Sequence, residues 1–408
     1  MQVKRMKLAV QREEEKTLYR ILLIISFAHL LNDTVQSLVP AMFPILRSSI
    51  GLSYTEIGII AFALNLTASI IQPIVGSYTD KHPLPYALPI GLIFTLIGIF
   101  GLAFSSSFVL LVLSVSLIGF GSATFHPESS RVAYMAAGKR RGFAQSIYQV
   151  GGNTGQALAP AITALILVPY GQKGAVWFTL ITAFAIVLLF YIARWYKEQI
   201  TIRNRNKREA GTQRNNHLYR KKVMFAIVVL IFFVFARTWF HSGITNFYTF
   251  YAIEKYGATI QEAQVYLFIF LFAGALGTFL GGPIADRFGK KLVIASSMLL
   301  AFPLTLLLPF VGKWLAYPLI TMIGFIALSS FSVSVVHAQQ LMPGKIGMVS
   351  GLVIGLGFGM GAIGSIVFGS IADYIGITKT MYIIAALPII GIVTLLLPSD
   401  RWIERHIR

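Results

Sequence analysis

Long apolar runs alternate with short polar breaks along the whole chain, and the run length decides the element type. A helix crossing a bilayer needs about 20 apolar residues. Twelve such runs lie near 17–46, 54–79, 84–104, 108–136, 142–169, 174–196, 222–251, 260–284, 290–309, 313–341, 346–372 and 379–398. They are numbered here as spans 1 to 12. The pattern is six, a gap, then six. The gap, 197–221, carries Arg203, Arg205, Lys207, Arg208, Arg214 and Arg220 with almost no apolar residue, which predicts a solvated basic linker. The organisation expected is a polar tail (1–16), a six-helix bundle (17–196), the linker (197–221), a second six-helix bundle (222–398) and a short tail (399–408). The segment Met1 to Lys16 carries both charge signs and the run behind it is too long for a secretory signal, so the first run is expected to persist as a span.

Composition agrees with this pattern and excludes other classes. Of the 408 residues, 56% are hydrophobic and only 12% charged, with a mean hydropathy of +0.73. Such a chain lacks the polar surface of a soluble domain and finds its favourable solvent in lipid. The fold class predicted is an all-α polytopic membrane protein. A net charge of +19 suits a nucleic-acid binder, but the basic residues fall in short blocks between spans. Assigning loops alternately to two sides puts 28 Lys and Arg on one side, 5 on the other, and Arg237 inside a span. By the positive-inside rule the rich side is cytoplasmic, so both termini are predicted there, with anionic lipid as the partner of the basic loops and no nucleic acid. The absence of cysteine removes disulfides, thiolate metal sites and cysteine nucleophiles together.

The two halves overlay on each other. An offset of 205 carries Ile118-Gly119-Phe120 onto Ile323-Gly324-Phe325 and Gly142 onto Gly347; an offset of 206 carries Gly76 and Asp80 onto Gly282 and Asp286. Parallel repeats of six helices describe the halves of the major facilitator superfamily, which bind substrate between them near the midplane. The segment Gly282-Pro-Ile-Ala-Asp286-Arg287-Phe-Gly289-Lys290-Lys291 resembles that superfamily's loop motif. Glycine lets helices approach, while the carboxylate and bases bridge a loop to a neighbouring helix end on the cytoplasmic face, bonds that break when that face opens. The first copy, Gly76 to Pro83, keeps Asp80 but loses the later glycine and the double base. A third echo, Gly369 to Gly376 with Asp373, falls on the outside and reads as a tight turn.

Ionisable groups at membrane depth are costly, so each is a candidate for function. Span 1 places His29, Asp33, Gln36 and Ser37 on one helical face. Asp33 lies about 20 Å along the helix, near the midplane, where a carboxyl is a natural proton carrier. Span 7 places Arg237 and His241 one turn apart, with Thr245 and Tyr248 extending the stripe. The Arg237 guanidinium always needs an anion or a ring of acceptors; Asp33 is the expected partner when no anionic substrate is bound. Span 4 ends in Phe125-His126-Pro127-Glu128-Ser129-Ser130-Arg131, where His126, Glu128 and Arg131 gather near a proline. Glu128 and Arg131 also have the spacing of a helix-end ion pair. No metal site is expected, because His126 and Glu128 are two ligands at best and face different sides. Span 5 carries Gln145, Gln149, Asn153 and Gln156 as an amide ladder, read as a cavity wall.

Jointly, several strings resemble the fosmidomycin resistance protein branch of the superfamily: His29-Leu-Leu-Asn-Asp33, Gln72-Pro73, Leu88-Pro-Ile-Gly91, Phe125-His-Pro-Glu-Ser-Ser-Arg-Val-Ala133, Gln149-Val-Gly-Gly-Asn153 and Asn246-Phe-Tyr-Thr-Phe-Tyr251. The resemblance runs from about Ser26 to Pro398. It implies an inner-membrane exporter driven by proton entry, with fosmidomycin, a small phosphonate hydroxamate, as the known family substrate. Two motifs depart from the superfamily pattern: the arginine of its span 4 motif would fall at Val115, and the proline of its span 5 motif stands at Pro160.

The reading that results is a proton-coupled antiporter of a small anion, working by alternating access as a monomer, with the proton gradient as energy source and no cofactor. Arg237, His241, Gln149, Asn153 and Tyr248 would form the substrate site; Asp33, His126 and Glu128 would carry the proton; Gly76, Asp80, Gly282, Asp286, Arg287, Gly289 and Lys290 would gate the inner face. An importer of a sugar or organic acid shares the fold, and a membrane enzyme using His126 and Glu128 is the remote alternative.

Overall fold

The computed structural model describes residues 17–138, 141–206, 220–342 and 346–406, without the side chains of residues 80, 81, 141, 142, 202–206, 220, 346–348, 350, 351, 354, 356 and 358. The predicted tail 1–16 and most of the linker, 207–219, lie outside the described residues. The described chain is helical, with no strand. Among the described residues, ten helices are long and apolar enough to cross a membrane by length and composition. Span 5, Arg141–Ile162, is not among them, because its amide ladder lowers its hydropathy.

Prolines and hydroxyls divide several spans that the hydropathy pattern joins. Span 1 is Tyr19–Ala41 followed by Phe43–Ile50, separated at Met42 between Pro40 and Pro44. Each proline removes a backbone donor, so the ladder is weakest there. Span 5 opens into a π-turn at Thr163–Leu167, just after Pro160. Span 10 is Lys313–Leu328 and Phe331–Leu341, joined through Ser329 and Ser330, and the Ser329 hydroxyl donates to the Ile326 carbonyl at 2.7 Å. Span 12 is Ile377–Ala386 and then a 3₁₀ stretch, Leu387–Leu396, opened by Pro388.

The duplication extends to helix caps. Ser53 and Glu56 form a capping box at the start of span 2, Tyr54–Lys81, and Thr259 and Glu262 form the same box at the start of span 8, Ile260–Phe288. These pairs stand 206 residues apart. Each box satisfies two orphan backbone donors, worth about 1 kcal/mol.

Lipid offers no hydrophobic drive for one helix to prefer another, so close packing through small residues holds the spans together. Span 1 lies directly on span 5: a Cβ built on Gly151 would stand 2.2 Å from the Ser26 carbonyl oxygen, and one on Gly155 2.2 Å from that of Leu30. The halves meet along span 2 against span 11 (Ile346–Ile375) and span 5 against span 8. In the first of these seams a Cβ on Gly58 would stand 2.6 Å from the Ser365 carbonyl oxygen, and the Ser69 hydroxyl donates to the Gly355 carbonyl at 2.6 Å.

Candidate functional site

Between the halves lies a cavity of about 170 Å³, room for on the order of ten water-sized positions. Span 1 contributes Gln36 and Ser37, span 2 Asn65, and span 5 Asn153 and Gln156; span 7 (Arg220–Tyr256) faces them with Arg237 and His241. The wall from the first half is uncharged, with these amides and the Ser37 hydroxyl set among apolar residues such as Phe43 and Leu64. The facing wall carries the fixed charge.

Arg237 is 5% exposed and has two rings for neighbours, Phe331 at 4.8 Å and Phe233 at 5.8 Å from its guanidinium carbon. Its Nη1 has no hydrogen-bond partner among the described residues. The pairing with Asp33 expected from the sequence is not made. Asp33 is engaged elsewhere, so the cation is left facing the cavity with aromatic faces as its protein contacts, which attract a cation weakly compared with a carboxylate. His241, one turn on, also lines the cavity and tilts against Phe270 at 5.9 Å.

Asp33 sits behind the cavity wall, 4% exposed, in a polar cluster of its own. Asn32 donates to one carboxylate oxygen at 3.0 Å and Gln156, from the cavity wall, to the other at 3.1 Å. His29 Nε2 stands 3.4 Å from one oxygen and His126 Nε2 3.7 Å from the other. The His29 ring stacks on Tyr148 at 4.1 Å and meets His126 edge-on at 5.2 Å. The Tyr148 hydroxyl in turn bonds Ser129 at 2.6 Å. Gly152 makes room for the cluster, since a Cβ there would stand 2.4 Å from the His29 ring.

Other predicted residues fall elsewhere. Gln149 is buried outside the cavity lining, and Tyr248 sits in an aromatic cluster with Tyr251 at 5.4 Å and Tyr266 at 5.7 Å. Helical spacing put both on a polar stripe, but Tyr248 is covered by Tyr251 of its own span and Tyr266 of span 8. Span 4, Phe108–Ala136, separates the residues that the sequence grouped. His126 turns to Asp33, while the fully buried Glu128 faces Arg131 at 3.5 Å, the helix-end pair. Arg131 also donates to the Thr79 carbonyl at 2.6 Å, tying span 4 to the end of span 2.

A family model for the Major Facilitator Superfamily matches residues 25–354. The chain belongs to that superfamily. It is 56% identical to the uncharacterized MFS-type transporter YfnC of Bacillus subtilis (strain 168), over 94% of each chain. It is 46% identical to the fosmidomycin resistance protein of Escherichia coli (strain K12), over 96% of each. Among solved structures, a bacterial homologue of the human lysosomal transporter Spinster, inward-facing and occupied, superposes with a TM-score of 0.72 over 96% of this chain and 97% of that one, at 14% identity. The protein is therefore a multi-pass major facilitator transporter, and the enzyme alternative falls with its class.

The facilitator loop motif appears with partners that its residue types alone do not reveal. Gly289 has a φ of +99°, the left-handed region open to glycine, and ends span 8. Asp286 and Arg287 are exposed, and among the described residues Asp286 has no hydrogen-bond or ion-pair partner. Lys290 begins span 9, Lys290–Leu307, and next to it the Lys291 backbone donates to Asp400 at 3.3 Å and its side chain to the Leu395 carbonyl at 2.8 Å. The carboxylate that this loop meets is therefore Asp400. Asp80 stands in span 2, and its side chain lies outside the described residues. Neither motif glycine makes the close approach expected of it: the nearest atom to a built Cβ is 3.8 Å away at Gly76 and 3.6 Å at Gly282, ordinary contact.

The sequence reading missed Asp373. It accepts from the backbone of Tyr54 at 3.1 Å and of Thr55 at 2.8 Å, and from the Thr55 hydroxyl, so a carboxylate of the second half caps span 2 of the first. Its signal in the sequence is the third Gly-x-x-x-Asp echo, Gly369 to Asp373, which the tight-turn reading leaves without a partner across the halves.

Proposed function

We propose that the protein exports a small organic anion in exchange for protons, by alternating access between its two halves. The observation that carries this reading is Arg237: a buried cation facing the central cavity, with no acidic side chain paired to it among the described residues. An anion brought into the cavity would supply charge-assisted hydrogen bonds that phenyl rings do not. His241 would add a second donor, and Asn153 and Gln156 would hold the polar body of the cargo. The relative that is 46% identical bears the name fosmidomycin resistance protein, which makes fosmidomycin the first cargo to try.

Asp33 and His126 are the groups we assign to the proton, with the transmembrane proton gradient as energy source. No cofactor takes part. Asp33 meets the cavity through Gln156, close enough for cargo and proton to influence each other. Glu128 we assign to holding Arg131 in place. The transporter works as a monomer in the inner membrane with both termini cytoplasmic, its basic loops turned to anionic lipid, and the loop from Gly282 to Lys290 gates the inner face.

The test uses the purified protein in vesicles with an imposed pH gradient. Fosmidomycin should move against its own gradient toward the acidic side, and Asp33→Asn should abolish that movement while sparing gradient-free exchange of fosmidomycin for fosmidomycin. Undiminished gradient-driven export by the variant would remove Asp33 from the role. Movement of fosmidomycin toward the alkaline side would instead make the protein a symporter.

A further inference from the structure

The geometry points to His29 as a further member of the proton-carrying group: we propose that one proton is shared among His29, Asp33 and His126 as a single unit. This rests on the proton-coupled reading above and names a residue which that reading leaves out.

The argument begins with a carbonyl. His29 Nδ1 stands 2.8 Å from the Tyr148 backbone oxygen. A carbonyl oxygen only accepts, so Nδ1 carries the hydrogen. In a neutral ring Nε2 then has only a lone pair to offer, and it faces a carboxylate oxygen of Asp33 at 3.4 Å. Across the same carboxylate, His126 Nε2 faces the second oxygen at 3.7 Å. Lone pair against lone pair repels. One proton placed between His29 Nε2 and Asp33 turns that repulsion into a charge-assisted hydrogen bond.

Net charge argues in the same direction. With both rings neutral and Asp33 ionised the buried unit carries one negative charge; with a proton added it carries none. A buried site at membrane depth favours the neutral form unless a partner compensates, and Arg237 is not that partner, since it stands against Phe233 and Phe331. The donors from Asn32 and Gln156 hold the carboxylate in place in either state. The titratable groups facing the His29 ring are Asp33 on its own span, His126 on span 4 and Tyr148 on span 5. Among the described residues no other ionisable side chain touches it.

The structure also fixes the ring in a way that suits a proton acceptor. Stacking on Tyr148, the bond to its carbonyl and the space left by Gly152 hold Nε2 toward Asp33. A side chain that only filled space would need none of these three.

Two measurements test the proposal. In vesicles, His29→Gln keeps a donor near Asp33 but does not titrate, and His29→Asn keeps a donor near the Tyr148 carbonyl but lacks Nε2. Both should lower gradient-driven fosmidomycin export about tenfold, the scale of one lost hydrogen bond to a charged group, and both should flatten its pH profile while gradient-free exchange stays within a few-fold of wild type. A wild-type pH profile in both variants overturns the proposal. The second measurement needs no variant: the chain has 7 histidines, few enough for ring nitrogen-15 resonances to be followed with pH in the intact protein. His29 should show a fixed Nδ1–H and an Nε2 that gains its proton together with a change at His126. An Nε2 in one state across the pH range of transport overturns the proposal even where the variants fail to fold. Failure here with Asp33→Asn still inactive condemns His29 alone; an active Asp33→Asn removes Asp33 from the proton role assigned above and takes the shared unit with it.

Discussion

The carboxylate of Asp373 caps Thr55 across the boundary between the two halves, at the membrane face opposite the linker. One oxygen takes the Thr55 backbone N–H at 2.8 Å together with its hydroxyl, while the other takes the N–H of Tyr54. Ordinarily a helix N-terminus is capped by its own preceding residue, and span 2 has that cap in Ser53 as well. The extra cap comes from span 11. It stabilises contact between the halves only while that face is closed, so it must break when the face opens.

Removing it should therefore bias the transporter toward opening on that face. A cap of this kind is worth about 1 kcal/mol, or roughly a fivefold shift in population. The chain has no cysteine, so a single reporter, Ser37→Cys in the cavity wall, can be placed without background. Asp373→Ala should raise its labelling by an impermeant maleimide from the face opposite the linker about fivefold. An unchanged labelling rate would show that the contact is not a latch.

Arg237 gives a second expectation. Arg237→Ala should lower fosmidomycin efflux by about 30-fold or more, the loss of a charge-assisted pair, with the helical content and melting temperature of the protein preserved or raised, since a buried charge has been removed. Arg237→Lys should recover part of the activity, because the charge returns without the planar fork. Efflux assays and thermal unfolding in detergent separate the two effects. Full resistance conferred by the alanine variant would refute the anion site.

Much of the architecture was legible in the sequence because hydropathy measures a one-dimensional quantity, the length of chain a bilayer can cover. The runs and the six-plus-six pattern needed nothing more, and the duplication is carried by matching glycines and aspartates at a nearly constant offset. The breaks at Met42 and at Ser329–Ser330 were harder, since apolar residues flank both and the run continues through them. The cavity was half legible. Arg237, His241, Asn153 and Gln156 line it, while the span 1 face divides, with Gln36 and Ser37 on the cavity and His29 and Asp33 behind it. Tyr248 and Gln149 do not, because periodicity says which residues share a face and not which neighbour covers it. The meeting of His126 with His29 and Asp33 is a contact between spans about 95 positions apart in the chain, beyond any local rule. The matching caps at Ser53 and Thr259 were readable, as Ser-x-x-Glu and Thr-x-x-Glu at the repeat offset, and would have sharpened the start of both spans.

Glu128 supplies a third expectation, and it separates the two groupings around Pro127. Its carboxylate is fully buried against Arg131, and Arg131 reaches the Thr79 carbonyl. Glu128→Gln should destabilise the protein by about 3 kcal/mol, the low end for breaking a buried ion pair, since Arg131 keeps its bonds to Thr79, while the proton dependence of export survives. His126→Gln should do the reverse, damaging proton dependence with a smaller change in melting temperature. Loss of proton dependence in the glutamate variant would return Glu128 to the proton-carrying group.

The last expectation concerns two glycines that look alike in sequence. A methyl group on Gly152 would stand 2.4 Å from His29 Cε1, 2.5 Å from Nε2 and 2.9 Å from an Asp33 oxygen. Retreat of span 5 would open the close packing of Gly151 and Gly155, on either side, against the span 1 backbone at Ser26 and Leu30. The ring must move instead, breaking its bond to the Tyr148 carbonyl. Gly152→Ala should thus cost about 1–3 kcal/mol through overpacking and should lower gradient-driven export more than gradient-free exchange. Gly76 is the contrast, since a methyl there meets only Pro127 at 3.8 Å. Gly76→Ala should leave the melting temperature within error or raise it, as alanine restricts the unfolded chain and favours helix. Melting curves of the two variants in the same detergent decide the matter: equal losses at both positions would mean that the tight seam between spans 1 and 5 does not govern the proton-carrying cluster.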